Sequence, residues 1–123
     1  MVDIQILTRE TGDVVVLDTV GSIDAFLVTR IREEINTLLG QGKIRIILDC
    51  SRISRINSTA LGILVGRLRR ARHLGGDIKI LGLLPDVRGI FDVTGASRVF
   101  RIFADEASAL ADFARPRDPF DGE

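Results

Sequence analysis

Tryptophan and tyrosine are absent from this 123-residue chain, cysteine, histidine and methionine occur once each, and the formal charge sums to zero. Each shortage removes a class of function. Without Trp or Tyr there is no aromatic platform of the kind that grips single-stranded nucleic acid, and a neutral chain is not a general nucleic-acid binder. A lone Cys50 forms no internal disulfide, and with His73 as the one histidine no Cys/His metal site can be assembled. The longest apolar runs, such as Ile80 to Leu84, fall far short of the roughly 20 residues that span a bilayer. No charged segment precedes an apolar one at the start. These shortages point to a cytoplasmic protein with no metal, no direct nucleic-acid contact and no membrane insertion.

What is present fits one domain, long enough to bury about two thirds of the surface its unfolded chain exposes. The first strands are read from Ile4, Ile6 and Thr8, the turn Thr11-Gly12-Asp13 and the β-branched run Val14 to Leu17. Val20 to Asp24 reads as a turn with Gly21 relieving the backbone, and Ser22 or Asp24 can cap the helix that follows. Leu27, Ile31, Ile35, Leu38 and Leu39 recur at helical spacing up to Gly40 and Gly42. Lys43 to Asp49 reads as a central strand, Ser51 to Asn57 as a polar connection, and Ser58 to His73 as a helix ended by Gly75-Gly76. A strand from Ile78 to Leu83, a short helix from Pro85 to Gly95, a strand from Val99 to Phe103 and a last helix starting at Ala104 or Asp105 complete the pattern. Phe91, Phe100, Phe103 and Phe113 are read as core. The alternation predicts an α/β fold: a mixed sheet with an N-terminal hairpin, parallel crossovers and about four helices, over residues 1–114. Residues 115–123, with two prolines, read as a loose tail.

The stretch from Ile56 to Gly62 lies where a strand yields to a helix, and Ser58 is its focal residue. Serine or asparagine just before an apolar-periodic run is the usual N-cap, so spacing alone makes Ser58 the cap. The alternative is that its hydroxyl accepts phosphate, with Thr59 a weaker acceptor. On the helix, Leu61, Leu64, Val65 and Leu68 form one stripe expected to pack on the sheet. Thr59, Ile63, Gly66, Arg67 and Arg70 share the opposite side, a low surface suited to a docking partner. Gly62 is expected to permit close packing on the sheet and Gly66 close approach of the partner. Arg67, Arg69, Arg70 and Arg72 are either a solvated face or a match for an acidic partner surface.

The Gly21-Ser22-Ile23-Asp24 segment, the strand ending Leu48-Asp49, the run Asn57-Ser58-Thr59-Ala60-Leu61-Gly62 and the segment from Pro85 to Gly95 together resemble the anti-sigma factor antagonists. These are the bacterial single-domain STAS proteins, and the resemblance covers residues 3 to 114. It implies partner switching. The unmodified antagonist binds a serine kinase that is also an anti-sigma factor, phosphorylation at the position of Ser58 abolishes the complex, and a phosphatase resets it. It further implies a kinase substrate, not an enzyme, with no cofactor of its own. The expected partner surface comprises Asp24, Asn57, Ser58, Thr59, Ile63, Gly66, Arg67 and Arg70. Two positions depart from the family pattern of Asp, Ser, Ser or Thr, Gly, Leu, Gly: Asn57 stands for the aspartate and Ala60 for the first glycine. Two other readings remain. One is a STAS subunit that is not phosphorylated, in a transport or stress-signalling assembly. The other is a small nucleotide-binding α/β protein, although neither glycine-rich phosphate loop is present.

Overall fold

The computed structural model describes residues 5–115, so all of the tail read from 115 to 123 except Arg115 lies outside it. Strands β1 (Ile6–Thr11) and β2 (Val14–Ile23) form the antiparallel hairpin. Thr11 faces Val14 across the ladder, so Gly12 and Asp13 alone make the turn. Helix α1 (Ala25–Gly40) leads to β3 (Arg45–Ile56), α2 (Ser58–His73) to β4 (Asp77–Leu81), and α3 (Pro85–Thr94) with a 3₁₀ turn (Ala96–Arg98) to the two-residue β5 (Ile102–Phe103). Helix α4 (Glu106–Ala114) closes the described chain. The strands lie in sequence order, with β2 to β5 mutually parallel. This is the mixed sheet expected from the alternation of strands and helices.

Two strands run further than the sequence suggests. The segment from Val20 to Ile23 is the end of β2, and Ser51 to Ile56 is the end of β3; neither is a turn. They pair with each other, Val20 opposite Arg52, Gly21 opposite Ile53, Ser22 opposite Arg55 and Ile23 opposite Ile56, with register shifts after Asp18 and after Gly21. Each shift interrupts the two-residue alternation that identifies a strand, so the polar stretch reads as a loop. Strand β4 stops opposite Asp49, and the rest of β3 pairs with β2 alone. The opposite error occurs at Val99 to Arg101. There the chain is still turning, Val99 and Phe100 both donating to the Ala96 carbonyl at 3.1 and 3.0 Å, and strand geometry begins only at Ile102.

The sheet is covered on both faces. Helices α1 to α3 bury Leu27, Ile31, Ile35, Leu61, Leu64, Leu68, Val87 and Phe91 against Val15, Leu17, Ile46, Leu48 and Ile80. Phe91 and Phe100 meet within this core, ring centroids 5.8 Å apart. On the other face α4 packs Ala109, Leu110 and Phe113 over Val14, Val16, Ile47 and Leu81. Gly76 is fixed by close approach, since a Cβ there would lie 1.9 Å from the Ile44 carbonyl oxygen.

Phe103 and Phe113 are half-buried, and their rings flank a buried lysine that sequence reading passed over. Lys79 Nζ donates to Asp112 Oδ2 at 2.5 Å and Asp77 Oδ2 at 3.1 Å, and it stands 4.4 Å from the Phe113 ring centroid. Desolvation pushes the Asp112 carboxyl up, but Lys79, Arg101 and Arg115 overcome it and hold the group below the usual carboxylate range. Arg9 of β1 adds a second tie to α4 through Glu106. Helix α4 is therefore held by charge as well as by apolar contact.

Candidate functional site

The register of β2 and β3 places two helix starts next to each other. Ile23 and Ile56 are ladder partners, and the next residue on each strand is an N-cap. Asp24 Oδ1 accepts from the Leu27 N–H at 2.9 Å, and Asn57 Oδ1 accepts from the Ala60 N–H at 2.7 Å. Each such cap satisfies a backbone donor that has no intrahelical acceptor.

Ser58 is therefore not the cap expected from spacing. Asn57 takes that place in an extended conformation, and Ser58 is the first helical residue, exposed, with its hydroxyl making no hydrogen bond among the described residues. Asparagine and serine cap about equally well, so composition could not decide between neighbours. The legible signal was the repeat of an isoleucine followed by Asp24 in one strand and by Asn57 in the other. Ala60, which stands where the family pattern has glycine, is only 1% exposed, and its methyl faces the core.

The expected docking side of α2 is not one surface. Thr59 and Arg70 are exposed, but Ile63 is half-buried against the helix-side core. Arg67 is also half-buried and Arg67 Nη1 donates to Asn36 Oδ1 of α1 at 2.6 Å, so this flank forms the seam with α1. The reason is the position of α1, whose packing against α2 a wheel of α2 alone does not reveal. Val65, placed on the sheet-facing stripe, is half-buried, and Ala60 and Ala71 join Leu61, Leu64 and Leu68 as the buried residues of α2.

The open flank faces α3. A groove of about 340 Å³ runs between Ser58, Gly62, Val65 and Arg69 of α2 and Thr94, Gly95, Ala96 and Val99 opposite. Gly62 is exposed and packs on nothing: a Cβ there, like one on Gly66, would meet no atom within 4 Å. The expectation that Gly62 lets the helix approach the sheet is overturned, because it points away from the sheet. Gly95 ends α3 in the left-handed region at φ +81°, which turns the chain into the opposite wall. Near the helix starts, Phe26 on α1 is 67% exposed beneath Arg30, whose guanidinium carbon lies 5.9 Å from the ring centroid.

Among the described residues no group of three His, Cys, Asp or Glu side chains is placed to hold a metal ion, and no helix is long and apolar enough to cross a membrane. Cys50 is buried in the core, and desolvation, with the nearby Asp49 charge, pushes its thiol up to about 12, so it acts as a small apolar residue.

The family model of the STAS domain matches residues 5–109 of this chain. The chain belongs to the STAS domain family. This STAS domain is 27% identical over 101 residues to the anti-sigma-B factor antagonist of Listeria monocytogenes, covering 82% of this chain and 88% of that protein. It is 30% identical over 93 residues to the anti-sigma F factor antagonist of Lysinibacillus sphaericus, covering 75% of this chain and 77% of that one. Among solved structures, the Bacillus cell-fate determinant SpoIIAA in its phosphorylated form superposes with a TM-score of 0.69 at 28% identity, covering 89% and 99% of the two chains. The STAS fold expected from the sequence is thus the one observed, and these two curated relatives are named anti-sigma factor antagonists.

Proposed function

We propose that this STAS domain is itself an anti-sigma factor antagonist that works by partner switching. Unmodified, it binds an anti-sigma factor that is also a serine kinase; phosphorylated on Ser58, it lets go, and a phosphatase restores it. It is a substrate in this cycle and catalyses no step, and ATP and magnesium are requirements of the kinase. The setting is the cytoplasm.

The observation that carries this reading is the division of labour between Asn57 and Ser58. Because Asn57 caps the helix, the Ser58 hydroxyl stands exposed and unbonded among the described residues, free to accept a phosphoryl group without loss of the cap. A phosphoserine carries about −1.5 to −2 charges near neutral pH, which a helix N-terminus accommodates through its dipole and free N–H groups. The helix tolerates the dianion, whereas a partner docked over Ser58 does not. Loss of about 3 to 4 kcal/mol of binding lowers affinity by two to three decades. The relatives' names supply the class of partner, and SpoIIAA supplies a relative known in phosphorylated form.

Incubation with the cognate serine kinase and Mg-ATP, followed by mass spectrometry of the peptide containing Asn57 to Gly62, tests it. Phosphate on Ser58, with none on the Ser58→Ala protein, is the expected result. An active kinase that leaves both Ser58 and Thr59 unmodified excludes the switch and leaves a STAS subunit that is not phosphorylated.

A further inference from the structure

We propose that the groove between α2 and α3, and not the flank of α2 that faces α1, is the seat of the protein partner, and that it receives an apolar side chain carried on an acidic segment. This rests on the reading of Ser58 given above. Leu61, Val65, Ala96 and Val99 contribute apolar side chains to the groove, alongside Ser58, Thr94 and Arg69. An occupant of the groove therefore lies against Ser58.

Three further observations fix the occupant's chemistry. Gly62 leaves the groove open, since a Cβ there would meet no atom of the surrounding fold within 4 Å. Arg69 in the lining and Arg98 on the 3₁₀ turn of the opposite wall are exposed and make no ion pair among the described residues, while neighbouring Arg72 and Arg88 are paired with Asp77 and Asp92. An unpaired arginine in the lining calls for a carboxylate. Val93 of α3, which precedes the lining residue Thr94, is 87% exposed. On the α1 flank Ile63 is half-buried and Arg67 is engaged by Asn36, while Arg70 is exposed and makes no ion pair among the described residues.

The test compares Gly62→Leu, Arg69→Glu and Arg70→Glu in the full chain, using the kinase of the preceding experiment as the probe and surface plasmon resonance at two salt concentrations. Circular dichroism melts check that each variant is folded. Gly62→Leu fills the groove and is expected to weaken binding at least tenfold. Arg69→Glu is expected to slow association at least tenfold at low salt and to flatten its salt dependence, while Arg70→Glu changes either quantity less than threefold. Because Arg69 is exposed, its variant reports even if the glycine replacement folds poorly. Undiminished binding by Gly62→Leu and Arg69→Glu, or a loss confined to Arg70→Glu, overturns the proposal. Failure of the underlying reading looks different, since then the kinase does not modify Ser58 in the unaltered protein.

Discussion

Asn57 Oδ1 accepts the Ala60 N–H at 2.7 Å, which joins the two residues at which this chain departs from the family pattern into one capping interaction. Amide and carboxylate oxygens cap a helix about equally well. Replacement of Asn57 by alanine is expected to cost about 1 kcal/mol, whereas Asn57→Asp is expected to be neutral or stabilising by about 0.3–1 kcal/mol through the helix dipole. Ser58→Ala removes no hydrogen bond among the described residues and should shift stability by less than about 0.5 kcal/mol. Urea denaturation of the three variants separates them, and a Ser58→Ala loss as large as that of Asn57→Ala would return the cap to Ser58.

A negative charge at Ser58 should strengthen the fold. Ser58 opens α2, so Ser58→Glu places a carboxylate at the positive end of the dipole. A gain of about 0.3–1 kcal/mol is expected at low ionic strength, shrinking in salt. A melting series in increasing NaCl checks this. Destabilisation would mean that release of a partner follows local unfolding and not charge or bulk.

The two open helical glycines should be replaceable at a gain. Gly62→Ala and Gly66→Ala each put a methyl where no atom lies within 4 Å, so each is expected to stabilise by about 0.5–1 kcal/mol. Chemical denaturation measures the gain. If Gly62→Ala is more stable and binds its partner less well, the glycine is retained for contact and not for folding.

Acid should loosen α4 through Asp112. Its carboxyl titrates below the usual range in the folded chain because Lys79, Arg101 and Arg115 outweigh burial. A depressed folded value makes the contribution fully present above the unfolded value of about 3.9 and lost as pH falls through the folded one. Asp112→Asn is expected to cost about 1.5–3 kcal/mol at pH 7, and its stability should depend less on pH than that of the unaltered protein below about pH 4. Denaturation between pH 2.5 and 7 shows whether the two curves converge in acid, as required.

The elements most legible in the sequence were those whose pattern is local. Leu27 to Leu39 declared α1, Pro85 and Gly95 bracketed α3, and Ile46 to Leu48 marked a buried strand. What escaped depended on neighbours. The ends of β2 and β3 are strands only because they pair with each other across two register shifts, which their own alternation conceals. Ile63 is half-buried because α1 lies alongside, and Lys79 is buried because Asp112, 33 residues later, neutralises it. At the candidate site, the sequence indicated Ser58 and its helix, but which flank of α2 is open was decided by where α1 and α3 pack.

The ladder that ends at Ile23 and Ile56 also acts as a ruler. Two parallel strands leave the sheet in step, so α1 and α2 begin at one height with their axes set by the same rigid support. A surface that reads the start of one helix meets the start of the other at a fixed spacing. Inserting a single residue after Val20 would preserve both caps and still put the two starts out of step. A partner that contacted both starts would then lose its fit without the loss of any contacting side chain.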